Sequence, residues 1–290
     1  MKDSRQYKLF QLANVILLLL VVFITLFPFL SIVARSFSGE AEINAGEVFL
    51  WPVGFNLETY KVVFSDSHFW NSYKNTVLYT TVGTAINIFM TTIFAYAISK
   101  KRLVGRNFFI MLAVFTMFFS GGLIPNYLLI TSLGFANSIW AIVLPTAISI
   151  FNLLVMKSFF ESLPEELEES ASIDGANTYI TLLRIILPLS KPVLATMILF
   201  YAVENWNSWF PAFLYFDQQD LFPVSIYLRN LIKGASDTMA AGAAEASNMQ
   251  QVSSNIKAVT MVLSVLPILL VYPYLQKYFV KGVMLGSVKQ

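Results

Sequence analysis

One carboxylate, Glu204, stands by itself in an apolar stretch from Pro192 to Phe216, with Asn205, Trp206, Asn207 and Trp209 beside it. An ionised side chain deep in such a stretch costs about 2.5 to 3.5 kcal/mol when it faces lipid, so it is expected to face a cavity or a partner. Carboxylates and amides that take sugar hydroxyls, next to aromatic faces that cover C–H surfaces, form the sparse polar set an apolar pocket uses for a carbohydrate. Glu204, Asn205, Trp206 and Trp209 are therefore candidates for a substrate pathway, joined by Asn152 and Asn87 from other apolar stretches. A packing role stands beside this reading, in which the tryptophans wedge between helices, Glu204 pairs inside a bundle and each buried amide joins two helices.

A second constellation occupies residues 161–190. Ser162 and Glu165 have the spacing of a capping box, Pro164 suits a first helical turn, and Glu165, Glu166, Glu168 and Glu169 lie where the helix dipole favours acid. Leu163, Leu167, Ser170, Ala171 and Asp174 recur at helical spacing, and Gly175 offers a break. A second run through Tyr179, Leu182, Leu183 and Ile186 is expected to end at Pro188. The expectation is a helix, a turn and a helix outside the bilayer. Its small residues Ser170, Ala171, Ser172, Gly175 and Ala176 would let another surface approach the backbone closely. From residue types alone, a solvated acidic connector is an equal reading.

Much other chemistry is excluded. The chain has no cysteine and one histidine, His68, which with Asp66 and Ser67 reads as a surface loop. Thiolate nucleophiles, Cys-ligated metals and sites needing two imidazoles are thereby ruled out. None of the 13 glycines precedes a lysine and no G-x-G-x-x-G occurs, so no phosphate cradle is present and no cofactor is expected on this chain. G-x-S-x-G and H-E-x-x-H are absent too, which disfavours an intramembrane enzyme. A net charge of +2 does not suggest nucleic acid as a partner.

The elements that must position these residues follow from the gaps between charges. Of 290 residues, 57% are hydrophobic and 12% are charged, against about 25% charged in soluble domains. The expected architecture is an all-α integral membrane protein with six spans, at residues 10–34, 74–99, 107–128, 138–157, 192–216 and 258–280. Residues 36–73 and 217–257 become outer segments, the latter with an Ala-, Ser- and Gly-rich run from Gly234 to Ser254 that suggests a mobile or weakly helical stretch. Residues 161–190 form an inner loop and 281–290 an inner tail. Lys2, Arg5 and Lys8 precede an apolar run longer than the about 7 to 15 residues of a signal core, which favours a retained first helix. With both ends in the cytoplasm, the inner side gathers 13 of the 19 basic residues, Lys100 to Arg106 most tightly.

The string Glu169-Ser170-Ala171, three residues, Gly175, nine residues, then Ile185-Ile186-Leu187-Pro188 resembles the EAA signature of the membrane subunits of binding-protein-dependent ABC importers. Its spacing is complete, with Ser170 replacing the middle alanine. Ser172 to Asn177 is similar to the sugar-permease branch of that family, and Phe119 to Pro125, Tyr201 to Trp209 and Tyr278 to Lys289 resemble its polysaccharide and oligosaccharide permeases.

The resemblance implies a type I importer permease fold, with the inner helices acting as a coupling element docked in a cleft of a separate ATPase. Glu169, Ser170, Ala171, Asp174, Gly175, Ala176, Leu187 and Pro188 would belong to that contact, and the tail residues Leu285, Gly286 and Ser287 would reach toward the ATPase dimer. It also implies the partners: a second, homologous permease, two ATPase subunits that hold ATP and Mg, an extracellular solute-binding protein and a carbohydrate, in a bacterial plasma membrane. A secondary transporter using Glu204 as an ion or proton relay is the alternative, but it needs paired interrupted spans that no internal repeat supplies.

Overall fold

In hydrocarbon a backbone must satisfy its own polar groups, which long apolar runs do within themselves as helices. The computed structural model describes residues 5–240 and 254–287, and every regular element among the described residues is helical. Helix α1, Arg5–Ser36, has 32 residues with Pro28 inside it, about 48 Å at 1.5 Å per residue. Leucines 9, 12, 17, 18, 19 and 20 are all exposed, as suits a helix apolar on every side that meets lipid or another chain.

Two short helices follow, α2 at Glu40–Asn44 and α3 at Glu58–Ser65, and then the 33-residue α4 at Ser67–Ser99. The loop expected through residue 73 thus ends earlier than its composition suggests. Asp66 Oδ1 accepts from the backbone N–H of His68 at 2.9 Å, a side-chain cap that starts α4 and places His68 in its first turn.

Three of the expected spans are broken. The stretch at 107–128 is α5, Arg106–Phe118, and α6, Leu123–Ser132, bent by 113° at the break. Gly122 has φ +90 there, a conformation that side chains other than glycine's rarely adopt. With 13 residues, α5 is about 20 Å long, shorter than the roughly 30 Å of a hydrocarbon core. The stretch at 138–157 is α7, Trp140–Val143, and α8, Ile150–Glu161, with Pro145 in the gap.

Beyond α8 come α9, Glu166–Ile173, α10, Thr178–Thr181, a π turn at Leu182–Ile186 and α11, Leu187–Leu189. The stretch at 192–216 divides into α12, Lys191–Asn207, and α13, Phe210–Tyr215. Pro211 sits in the first turn of α13, where its ring would clash with the Asn207 carbonyl if the helix ran through. Helix α14, Val224–Ala240, occupies part of the expected outer segment, while residues 241–253 of its Ala- and Gly-rich run lie outside the described residues. Helix α15, Ser254–Ser287, carries Pro267 and Pro273 and continues through most of what was expected to be a tail.

Two compact units divide the chain, residues 1–70 with 227–266 and residues 71–226 with 267–290. In the first, Ala34, Ile43 and Val48 are buried together. The Tyr227 hydroxyl donates to Asp66 Oδ2 at 2.6 Å, and the Tyr60 hydroxyl donates to Ser36 Oγ at 2.9 Å. Burial, and then the Asp66 carboxylate, push the Tyr227 phenol well above its ordinary value, so it remains a donor. In the second unit, Ala95, Tyr96 and Ile98 of α4 pack with Leu153, Met156 and Phe160 of α8, Ile186 of the π turn and Met197 and Tyr201 of α12. A smaller core joins Tyr79, Ile130, Ala141, Ala212 and Tyr215.

Candidate functional site

The 161–190 segment folds as a helix, a turn and a further helical run. Its start differs from the capping-box expectation. Ser162 closes α8, with its hydroxyl donating to the Phe159 carbonyl at 2.7 Å, and Glu165 occupies the α9 N-cap without a side-chain cap bond. Ser162 has φ -81 and ψ -12, a helical backbone that ends α8, not the extended backbone of an N-cap.

At the other end of α9, Gly175 adopts φ +77, Ala176 N donates to Ala171 O at 2.9 Å and Gly175 N to Ser172 O at 3.1 Å. This pairing is a Schellman closure, which needs the left-handed residue that glycine supplies. Asn177 then caps α10, its Oδ1 accepting from Ile180 N at 2.9 Å. That cap was legible as an asparagine before a helical run and was not among the expected features.

Pro188 does not end the second run, which continues to Leu189 and turns 83° into α12. In the π turn before it, Leu187 N donates to Leu182 O. Such a one-residue slip in the hydrogen-bond ladder relieves the fit of a proline ring that follows.

Exposure sorts the coupling candidates. Glu169, Ser170, Asp174, Gly175 and Pro188 are exposed, Ala176 and Leu187 are half-buried, and Ala171 is buried in the chain's own packing. Beside the exposed set stand bulky apolar residues, Ile173 at 87%, Tyr179 at 77% and Leu183 at 63% exposure. The edge around the glycine turn is thus both acidic and apolar, and exposed.

Ion pairs tie α9 to the end of α4. Lys100 pairs with Glu168, whose Oε1 also accepts from the Tyr96 hydroxyl at 3.3 Å, and the Lys100 ammonium lies 4.2 Å above the Tyr96 ring. Arg106 pairs with Glu161, which takes Lys157 at 2.8 Å as well, and Arg106 Nε donates to Ile98 O at 2.8 Å. Lys101 and Glu165 approach at 3.8 Å, both well exposed. An open cleft of about 860 Å³ lies among these groups.

The candidate pathway residues separate. Glu204 and Asn152 line one open cleft of about 510 Å³ with Ser149, Phe151 and Val203. Asn205 and Asn87 do not join it. Asn205 Nδ2 donates to Asn87 Oδ1 at 2.9 Å, and Asn87 Nδ2 donates to Thr146 O at 2.6 Å. Trp206 is buried with its ring edge-on to Tyr73 at 5.9 Å, while Trp209 remains partly exposed. Sequence reasoning missed Tyr201, whose hydroxyl meets Thr91 Oγ1 at 2.7 Å and accepts from Ser149 N at 3.0 Å, fixing the start of α8. Leu285, Gly286 and Ser287 belong to the last turns of α15, and their side chains lie outside the described residues, as do residues 288–290. Among the described residues no group of three or more His, Cys, Asp or Glu could hold a metal ion.

Comparison with known proteins fits this layout. A family profile described as binding-protein-dependent transport system inner membrane component matches residues 72–285. Protein LplC of Bacillus subtilis (strain 168) is 44% identical over 289 residues, covering 100% of this chain and 98% of its own. The polygalacturonan/rhamnogalacturonan transport system permease protein YtcP of the same organism is 40% identical over 272 residues, covering 94% and 95%. A crystal structure of a bacterial ABC transporter involved in the import of the acidic polysaccharide alginate contains a chain with TM-score 0.85 and 33% identity, covering 96% of this chain and 99% of that one. With a profile match over most of its length, this chain belongs to the family of binding-protein-dependent transport system inner membrane components.

Proposed function

We propose that this chain is a permease subunit of an ATP-driven importer that carries an oligosaccharide into the cytoplasm by alternating access. The observation that carries the reading is the 161–190 element: a Gly175-closed turn with exposed Glu169, Asp174, Ile173 and Tyr179, on a chain whose sequence has no phosphate cradle. Glu169, Ser170, Asp174 and Gly175 meet a partner ATPase, with Ala171, Ala176, Leu187 and Pro188 shaping the backbone behind them. The chain itself is non-catalytic, and ATP and Mg act on the ATPase.

A docked, rigid turn can pass a shape change from that ATPase into the helices as a shift between inward-open and outward-open states. Moving such an equilibrium from 1:99 to 99:1 takes about 5.5 kcal/mol of differential binding. The remaining partners are a second homologous permease, two ATPase copies in all and an extracellular solute-binding protein. The chain lies in the bacterial plasma membrane with both termini and the 161–190 element cytoplasmic. Six crossings remain the reading, with α5 and α6, α7 and α8, and α12 and α13 each counted as one broken passage. The relatives that transport polysaccharides support a carbohydrate cargo, and the cleft at Glu204 and Asn152 is the part of the route assigned to this chain.

The test is uptake of radiolabelled oligosaccharide into proteoliposomes that hold the co-purified complex. Uptake should require ATP and the ATPase subunits. Uptake that survives their removal in energised vesicles would instead favour an ion-driven carrier working through Glu204.

A further inference from the structure

We infer that Lys100, Glu168 and Tyr96 form the joint through which displacement of α9 is delivered to α4, and from there to the cleft at Glu204. The inference rests on the proposed coupling role of the 161–190 element and adds positioning residues to it.

The joint is built unlike a surface ion pair. Lys100 and Glu168 side chains are 19% and 16% exposed, so their attraction is less screened than in water and either charge is costly to leave unpaired. Glu168 Oε1 accepts from both the Lys100 ammonium and the Tyr96 hydroxyl, and the ammonium also lies over the Tyr96 ring. Three groups closing on one another fix direction as well as distance. The Tyr96 ring is buried and packs edge-on against Phe160 at 5.9 Å.

A second tie keeps the segment after α4 from yielding. Arg106 Nε takes the Ile98 carbonyl, one of the unsatisfied acceptors that every helix end leaves, and its guanidinium pairs with Glu161 at the end of α8. Glu168 therefore pulls on a braced helix end.

From that end, α4 runs to buried contacts with α12. Thr91 meets the Tyr201 hydroxyl at 2.7 Å and Asn87 takes Asn205 at 2.9 Å. Glu204 precedes Asn205 on the same helix and lines the cleft. A shift of α9 thus reaches the cleft through side-chain contacts, without depending on the connecting segment between α9 and α12. Coupling of this kind needs contiguous packed elements with two discrete arrangements.

The test uses the complete transporter in proteoliposomes, reading ATP hydrolysis and sugar imported per ATP. Lys100→Met and Glu168→Gln should leave hydrolysis running while import per ATP falls about fivefold or more, within the ordinary range of coupling between sites. The charge exchange Lys100→Glu with Glu168→Lys should recover at least about half of the wild-type ratio. Single variants that keep the wild-type ratio would overturn the inference, as would variants that lower hydrolysis and import in equal proportion.

The sequence contains no cysteine, so within this chain a Lys100→Cys, Glu168→Cys pair offers a short bis-maleimide its only thiols, and with the partner subunits' cysteines replaced the bridge reads the joint directly. Bridging should preserve import per ATP, because a joint that stays closed through the cycle loses nothing when fixed. Arrest on bridging would show that the contact must open, and the inference would fall. If the wild-type complex shows no sugar-stimulated hydrolysis, the importer reading itself fails. Normal stimulation with fully coupled variants removes the joint alone.

Discussion

Asn205 Nδ2 donates to Asn87 Oδ1 at 2.9 Å, and Asn87 passes its own N–H to the Thr146 carbonyl at 2.6 Å. Both amides are thereby committed to joining α12, α4 and the α7–α8 break, leaving Glu204, Asn152 and Ser149 as the polar residues of the open cleft. Asn205→Leu should lower stability by about 0.6 to 1.7 kcal/mol, the range of interhelical hydrogen bonds in membranes. Unfolding of the purified chain in mixed detergent would measure this, while the KM for uptake should stay near its wild-type value.

Gly83 is coupled to that pair by space. A Cβ on Gly83 would come within 3.0 Å of Asn205 Nδ2, so Gly83→Val should displace the amide and cost stability through the same bond. The double variant Gly83→Val, Asn205→Ala should then be less destabilised than the sum of the two single variants. Strict additivity in the same unfolding assay would contradict the link.

Glu204 carries the opposite expectation. Glu204→Gln keeps size and removes charge at an exposed wall of the cleft, so assembly should be normal while transport affinity or selectivity changes severalfold. A variant that assembles poorly yet transports with unchanged KM would assign Glu204 to packing.

Gly175 faces open space, with nothing within 4 Å of an added Cβ, yet its φ of +77 is the left-handed region. Steric room does not help a branched residue there. Gly175→Val should cost about 1 to 2 kcal/mol in the turn and abolish sugar-stimulated ATP hydrolysis, whereas Gly175→Asn, which tolerates that region, should keep part of it. Hydrolysis by the reconstituted complex distinguishes the two.

Stability of the first unit should fall in strongly alkaline solution. Tyr227 and Tyr60 both have phenols raised above 10.0, chiefly by burial. A phenol raised by folding contributes its full stability below its unfolded value, and that contribution is lost as pH climbs through the folded value. The melting temperature should therefore be level near neutrality and decline above about pH 10. Tyr227→Phe should flatten the decline, and an unchanged slope would remove Tyr227 as its source.

The sequence by itself determined the helical class and the break at Gly175, because these follow from composition and one obligatory left-handed turn. It also contained the Asp66 and Asn177 caps, which were readable as short polar residues just ahead of helical runs. What it could not yield was which candidates share a cleft. Asn87 and Asn205 lie 118 positions apart, and only the packing of α4 against α12 turns them toward each other. The same holds for Glu168, one of several glutamates in an acidic run. Local spacing makes them equivalent, and the nearness of Lys100 and Tyr96 across the fold sets one apart from the rest.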